Sequence, residues 1–252
     1  DTFPAINFDE SGICNICNYY VPISYKGESS LREDIYSYNS IKKHNQFLLP
    51  FSGGRDSSYA LHFLKTKFNL NPICYSYDWG MITDLARRNQ SRMCGSLGIE
   101  HIYISADIRK KRKYISKNVT AWLKKPHLGM IPLFMAGDKA FLFYSQRLTT
   151  QNNLPFSIMG INHLEKTSFK NSFTDEKTYQ SGSMSYDLNV ANKIRILKYY
   201  LKQYMTNPKY LNSSIIDTIK SFWFYYVIKH NHLNFYDYII WDEKLIDDTL
   251  IN

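Results

Sequence analysis

Ser52-Gly53-Gly54-Arg55-Asp56-Ser57-Ser58 puts two glycines, three hydroxyls, a carboxylate and a guanidinium into seven residues. Adjacent glycines let a backbone take positive φ and approach an anion with no Cβ in the way. An apolar run, Phe47 to Phe51, stands before them, and Ala60, Leu61, Leu64 and Phe68 recur at helical spacing after them. The stretch therefore reads as a strand, a glycine turn and a helix start. The first amides of a helix have no intrahelical partner and sit at the positive end of its dipole, so they favour phosphate. Asp56, Ser57 and Ser58 are also good cap residues, and the same letters could serve only to start a helix. A Walker A loop needs GxxxxGK[ST], and no lysine follows these glycines.

The elements around the loop alternate. Ile73 to Tyr77 reads as a second buried strand ending at Asp78-Trp79-Gly80. A helix from Thr83, a plausible N-cap, to Leu97 follows, with Gly98 as its C-cap. Glu100 to Ser105 is a third strand and Pro155 to Met159 a fourth, ending at Gly160-Ile161-Asn162-His163. This β-α-β-α-β order with short turns predicts an α/β fold, a parallel sheet wound by helices on right-handed crossovers. Ligands of such sheets bind beyond the carboxyl ends of the strands. Residues 52–58, Asp78 and Gly160 to His163 all fall at that edge. Asp78 and His163 have bland alternatives as a turn residue and a loop histidine. A long apolar helix from about Leu133 to Leu148 is interrupted by Gly137-Asp138-Lys139, so Lys139 either faces water or reaches into a site.

The chain has 252 residues, 44% of them hydrophobic, and no run long enough to span a bilayer. Nothing reads as a secretory signal, so a cytoplasmic enzyme is the default. The formal charge of +9 suits an anionic ligand, although a bias towards lysine, asparagine, isoleucine and tyrosine can arise without any binding role. Arg109 to Arg112 and Lys113 form a run of five cations that points all round a helix, so some of them must be solvated. Cys14 and Cys17 have the spacing of one zinc (Zn2+) knuckle, but two ligands do not close a tetrahedral site. Cys74 and Cys94 read as small buried thiols, and His44 and His62 as unsupported ligands.

Residues 164–186 are polar and read as a loop over the site. Beyond them the strand signal stops, with Asn234 to Trp241 left as either a short strand or a helix end. Val190, Ile194, Leu197, Leu201 and Tyr204 mark one amphipathic helix. Ile215, Ile219, Phe222, Trp223 and Tyr226 mark a second, which either packs in a core or docks a partner. The organisation is an N-terminal segment with the CxxC (1–46), a sheet domain around the loop (47–186) and a helical C-terminal region (187–252).

SGGRDS after a strand and before a helix resembles the SGGxDS signature of the PP-loop ATP pyrophosphatase superfamily. That resemblance implies an adenine nucleotide α-hydrolase-like, Rossmann-like fold. It also implies a loop that holds the pyrophosphate leaving ATP as AMP passes to a substrate oxygen. DTFPAINFDESGICNIC, then SGGRDSSYALHFLK, then Asp78 and the helix carrying Leu85-Ala86-Arg87, resembles the bacterial N-acetyl sugar amidotransferase family of lipopolysaccharide and surface-polysaccharide gene clusters. The likeness is clearest over about residues 1–105, with weaker family-like character in KPHLGMIPLFMAGDK. In that family a further CxxC stands just upstream of the segment matching Asp1, and the chain continues past the point matching Asn252. The resemblance therefore implies a fragment or a diverged short member, with Cys14 and Cys17 as half of a four-cysteine zinc site.

The chemistry so implied converts an acetamido to an acetamidino group. The amide oxygen attacks the α-phosphorus of ATP, magnesium (Mg2+) pyrophosphate leaves, and ammonia from a separate glutaminase subunit displaces AMP. The acceptor would be a nucleotide-linked or lipid-linked sugar. Ser52, Gly53, Gly54, Asp56, Ser57 and Ser58 match the pyrophosphate loop, with Arg55 at the variable position, either on phosphate or facing solvent. Asp78 lies on the adenosine side. Asp56 of that loop is also a candidate catalytic residue, and topology alone nominates Lys139 as a second, with Gly160, Asn162 and His163 for the substrate. Two other readings stay open: a PP-loop enzyme that thiolates or otherwise modifies tRNA, and a degenerate, non-catalytic synthetase subunit.

Overall fold

In the computed structural model, residues 6–18, 22–42, 46–127, 129, 136–163 and 190–251 are described. They divide between two compact units. The first draws on Ser24–Lys111, Phe141–Asn162 and Lys229–Asn252, and holds the sheet. Its strands are Leu48–Pro50 (β1), Ile73–Asp78 (β2), His101–Ser105 (β3), Ser157–Met159 (β4) and His232–Asn234 (β5). Every pairing is parallel and the order is β3-β2-β1-β4-β5. Leu48 pairs with Ile73 on one side and with Ser157 on the other, so β1 is the central strand.

Glu28–Lys42 (α2), Arg55–Thr66 (α3), Asp84–Leu97 (α4), Phe141–Gln151 (α6) and Glu243–Ile251 (α9) are the helices that lie wholly in this unit. Strands covered by helices must be apolar on both faces, and β2 is buried at all six positions. Phe47, Leu49, Leu61, Leu64, Phe156 and Phe235 fill the core. The Phe47 and Phe156 rings stack at 5.3 Å, joining the segments that lead into β1 and β4.

The helix read between Thr83 and Gly98 forms as its end signals require. Thr83 caps the Ala86 amide, and Gly98 takes φ 61, a left-handed value natural to glycine. One expectation is corrected. Strand signals do not end before residue 187, because β5 follows the helical stretch and pairs with β4. Three residues are too short to show a period, and only pairing reveals them as a strand. Of the helix expected over residues 133–148 with a break at Gly137-Asp138-Lys139, residues 133–135 lie outside the described residues, Ala136 is helical, Gly137 is a turn, and a 3-10 turn (Asp138–Ala140) runs into α6. The loop read over 164–186 and His44 lie outside the described residues.

The second unit, Asp1–Ile23, Arg112–Ala140 and His163–Ile228, is helical. It contains the one-turn helix Asn15–Asn18 (α1), Val190–Thr206 (α7), Ile215–Phe222 (α8) with a π-helical turn at Trp223–Val227, and all but the first turn of Ile108–Lys124 (α5). Polar bonds tie its segments together: Asn118 Nδ2 donates to Ser214 Oγ at 2.8 Å, and Asn207 Nδ2 to the Ala121 carbonyl at 2.7 Å. Among the described residues, no helix is long and apolar enough to cross a membrane.

Candidate functional site

Strands β1, β2 and β3 run outward to one side of the sheet, while β4 and β5 lie on the other. The winding therefore reverses between β1 and β4. A crevice opens beyond the carboxyl ends of adjacent strands at such a point. The chain leaving β1 is residues 52–58, and the chain leaving β4 is Gly160 to Asn162. They meet: Asn162 Nδ2 donates to Asp56 Oδ2. A Cβ on Gly160 would lie 3.1 Å from Ser57 Cα and 3.3 Å from the Asp56 carbonyl, so this glycine seats the second segment against the start of α3.

The loop is held from behind. Gly53 has φ +75, and its carbonyl accepts from Asn89 Nδ2 at 3.2 Å. Gln90 Nε2 donates to the Ser52 carbonyl at 3.0 Å. Both amides come from α4, so these carbonyls are satisfied on that side. The hydroxyls close a ring. Gly54 N–H donates to Ser52 Oγ at 3.2 Å, and Ser57 Oγ–H to the Gly54 carbonyl at 3.2 Å. With its proton so placed, Ser57 Oγ takes the 2.9 Å bond to Ser52 as acceptor. Helix α3 then begins with Gly54 at its N-cap and no side-chain cap bond. Its first intrahelical bond runs from the Ser58 amide to the Gly54 carbonyl. The amides of Arg55, Asp56 and Ser57 precede that bond and have no partner within the helix. No side chain caps this helix start.

Asp56 is turned inward. Its Oδ1 accepts from Trp241 Nε1 at 3.0 Å, its Oδ2 from Asn162, and its carbonyl from Tyr236 Oη at 3.0 Å. The Arg55 side chain is 36% exposed and is engaged by α9. Its Nη1 lies 2.6 Å from Glu243 Oε1 and 3.6 Å from Asp247 Oδ1, and its guanidinium sits 5.3 Å from the Trp241 ring centroid. Two carboxylates of α9 direct this cation along that helix, and the Glu243 bond holds it more firmly protonated than usual. The guanidinium is thus held by α9.

Asp78 is buried at the end of β2. Its carboxylate accepts from Tyr103 Oη at 2.7 Å, Arg87 Nη2 at 2.8 Å and the Gly80 amide at 2.7 Å. Burial favours the neutral acid, but the bonds from Tyr103, Arg87 and Gly80 outweigh it and hold Asp78 below the usual carboxylate range. Arg87 belongs to α4, so this pair fixes the helix that supplies Asn89 and Gln90 to the loop. A carboxylate depressed by folding contributes stability that is complete above its unfolded pKa, near ~4, and is lost as the pH falls through the lower folded value. Urea unfolding across acid pH is expected to show that loss, and Asp78→Asn to flatten the dependence. An unchanged acid slope in Asp78→Asn would show that the bonds do not couple to folding.

The remaining expected residues, His62 apart, belong to the other compact unit. Lys139 belongs to the helical unit, 3.4 Å from Asp138 Oδ2 and 4.9 Å from the Tyr225 ring centroid. His163, half-buried, opens the last span of that unit. Cys14 and Cys17 form a knuckle-like turn in which the Cys17 amide donates to Cys14 Sγ at 3.3 Å. Among the described residues no cluster of three or more histidine, cysteine or acidic side chains could hold a metal. The two cysteines alone do not fit a closed zinc site, and His62 does not complete one. Asn89, Gln90, Tyr236 and Trp241 were not legible as loop-holding residues. Tyr236 and Trp241 act across 180 and 185 residues of chain, beyond the reach of any local pattern.

No protein-family model matches the chain. An uncharacterised protein of Methanocaldococcus jannaschii is 37% identical over 80 residues, which is 31% of this chain and 29% of that one. The chain thus matches less than a third of that relative's length. Among solved structures, an NH3-dependent NAD synthetase from Campylobacter jejuni aligns over 80% of this chain and 95% of its own, with 10% identity and a TM-score of 0.41. An NMN synthetase from Francisella tularensis aligns over 68% of this chain and 69% of its own, with 15% identity and a TM-score of 0.39. A predicted subunit of a tRNA methyltransferase from Methanocaldococcus jannaschii aligns over 47% of this chain and 55% of its own, with 24% identity and a TM-score of 0.32.

Proposed function

We propose that this chain is an ATP-dependent, AMP-forming enzyme whose residues 52–58 grip the departing pyrophosphate. The observation that carries the reading is the uncapped start of α3 at the sheet's reversal point. Three amides there lack an intrahelical partner, behind a glycine whose missing Cβ leaves room for the turn. Fixed amides aimed at developing charge need no reorganisation as the bond breaks. That suits expulsion of pyrophosphate and calls for no covalent nucleophile. These amides fit the phosphates of ATP. Magnesium, when bound with them, would neutralise charge on the pyrophosphate oxygens, and Asp56 is the carboxylate within the loop. Asp56 otherwise acts by position, tying the loop to Asn162 and Trp241. The end of β2 at Asp78 is the proposed adenosine side, and Gly160 and Asn162 border the acceptor. Lys139 and His163 are retained as candidates for the reaction and for substrate contact.

For the acceptor we favour the N-acetyl group of a nucleotide-linked or lipid-linked sugar, with ammonia delivered by a glutaminase subunit in the cytoplasm. This choice rests on the resemblance of the N-terminal stretch. The test is pyrophosphate release from ATP across a panel of nucleotide-linked N-acetyl sugars with ammonium supplied, and with bulk tRNA as a separate arm. Sugar-dependent release is expected. Release stimulated by tRNA and by no sugar would move the acceptor to RNA. Failure to bind ATP with magnesium in a calorimetric titration would make the chain a non-catalytic subunit.

A further inference from the structure

The two helices α7 and α8 leave several of their large apolar residues exposed. In α7 the buried line is Ile196 and Tyr200. Val190, Ile194, Leu197, Leu201 and Met205 form a separate stripe, each between 43% and 82% exposed. At 3.6 residues per turn this stripe spans about 80° of arc, centred roughly 120° from the buried line. Its outer border is Arg195, Lys198 and Lys202, all exposed. The helix has four cations, counting Lys193, and no carboxylate. Helix α8 is inverted outright: Thr218 and Ser221 are buried, while Ile216, Ile219 and Trp223 at its end are more than half exposed.

We infer that α7 and α8 form a peripheral docking face for an anionic lipid bilayer. An apolar stripe seats at the headgroup and acyl boundary, the adjoining lysines and arginine meet lipid phosphates, and an exposed tryptophan suits the interface. The alternatives fit the charge pattern less well. A second copy joined through the same face would bring the cations of α7 to a patch whose α7 has no carboxylate to pair with them, because a two-fold interface uses the same patch on both partners. RNA would use the cations but gain little from isoleucine, leucine and valine, which offer no ring for a base to stack on. The inference does not depend on the nucleotide site.

Flotation of the purified full chain with vesicles tests it. Binding is expected to vesicles containing about 30% phosphatidylglycerol, to be weak on phosphatidylcholine alone, and to fall as salt rises. Lys198→Gln with Lys202→Gln is expected to weaken binding about 25-fold, or about fivefold per cation. Leu197→Asp with Leu201→Asp is expected to abolish it while leaving circular dichroism and the melting temperature unchanged, since both positions are exposed. Trp223 fluorescence is expected to shift to the blue with anionic vesicles, and Trp223→Phe to remove that component. The inference is overturned if the folded chain ignores anionic vesicles or if both double variants bind like the parent. It is also overturned if sedimentation shows a dimer that the Leu197/Leu201 variant dissolves, or if RNA binds and competes the vesicles away.

Discussion

Gly53→Ala is expected to abolish ATP-dependent pyrophosphate release, a loss of at least about 100-fold, because it moves the donors aimed at developing charge. At φ +75 an L-residue is strained by about 1–3 kcal/mol. The added Cβ would also fall 2.6 Å from the Ala86 carbonyl oxygen and 2.9 Å from Gln90 Cγ. Gln90 can swing away, but the Ala86 carbonyl is backbone of α4 and cannot. The loop must therefore leave α4, giving up its bonds to Asn89 and Gln90 and misdirecting the amides that follow. Gly54 is the informative control. Its φ is −83, and a Cβ there meets only Ser52 Oγ at 3.2 Å, so Gly54→Ala is expected to be the milder change. Pyrophosphate release and the ATP binding constant, measured on both variants, check this. Equal activity in Gly53→Ala and the parent would remove residues 52–58 from the site.

Asp56→Ala is expected to lose pyrophosphate release about as completely, and to lower stability as well. The carboxylate accepts from Trp241 Nε1 and Asn162 Nδ2, and its side chain is only 13% exposed. Removing it leaves two donors without an acceptor in a partly buried place, at a cost of about 1–3 kcal/mol. For a chain of this length that corresponds to roughly 2–4 °C of melting temperature for each kcal/mol. The crevice would also loosen, because Asp56 joins the chain leaving β1 to the chain leaving β4. Trp241→Phe separates the two effects. It removes one donor while keeping the carboxylate, so it is expected to cost activity without eliminating it. Thermal melts run beside the activity assay check both. Asp56→Ala with full activity would show that the carboxylate serves only packing.

The helix from Thr83 to Gly98 was legible to the residue because its signals are local. A threonine hydroxyl reaches an amide three residues on, and a glycine takes the left-handed turn. Residues 52–58 were legible for the same reason, since strand, glycines and helix start are neighbours in the chain. Of strand β5 only Asn234 fell in a stretch read as a possible strand, and helix α9 was not legible. The strand is three residues long and exists by pairing with β4, and α9 contributes through Glu243 to Arg55, 188 positions away. The fate of Arg55 shows the limit well: sequence left it between phosphate and solvent, and the choice fell to carboxylates that only folding brings near it. The apolar stripes of α7 and α8 show another. Helical spacing marks which residues share a face, but whether that face looks inward depends on what packs against it.

The sequence by itself determined the wound parallel sheet and the place of its glycine loop, because backbone propensity and apolar periodicity act over a few residues. Only the tertiary structure decided how the loop is held. Asn89 and Gln90 fix its carbonyls, and Asn162, Tyr236 and Trp241 fix Asp56, through hydrogen bonds whose partners are distant in the chain. Such bonds depend on where whole elements come to rest, and no local pattern encodes that.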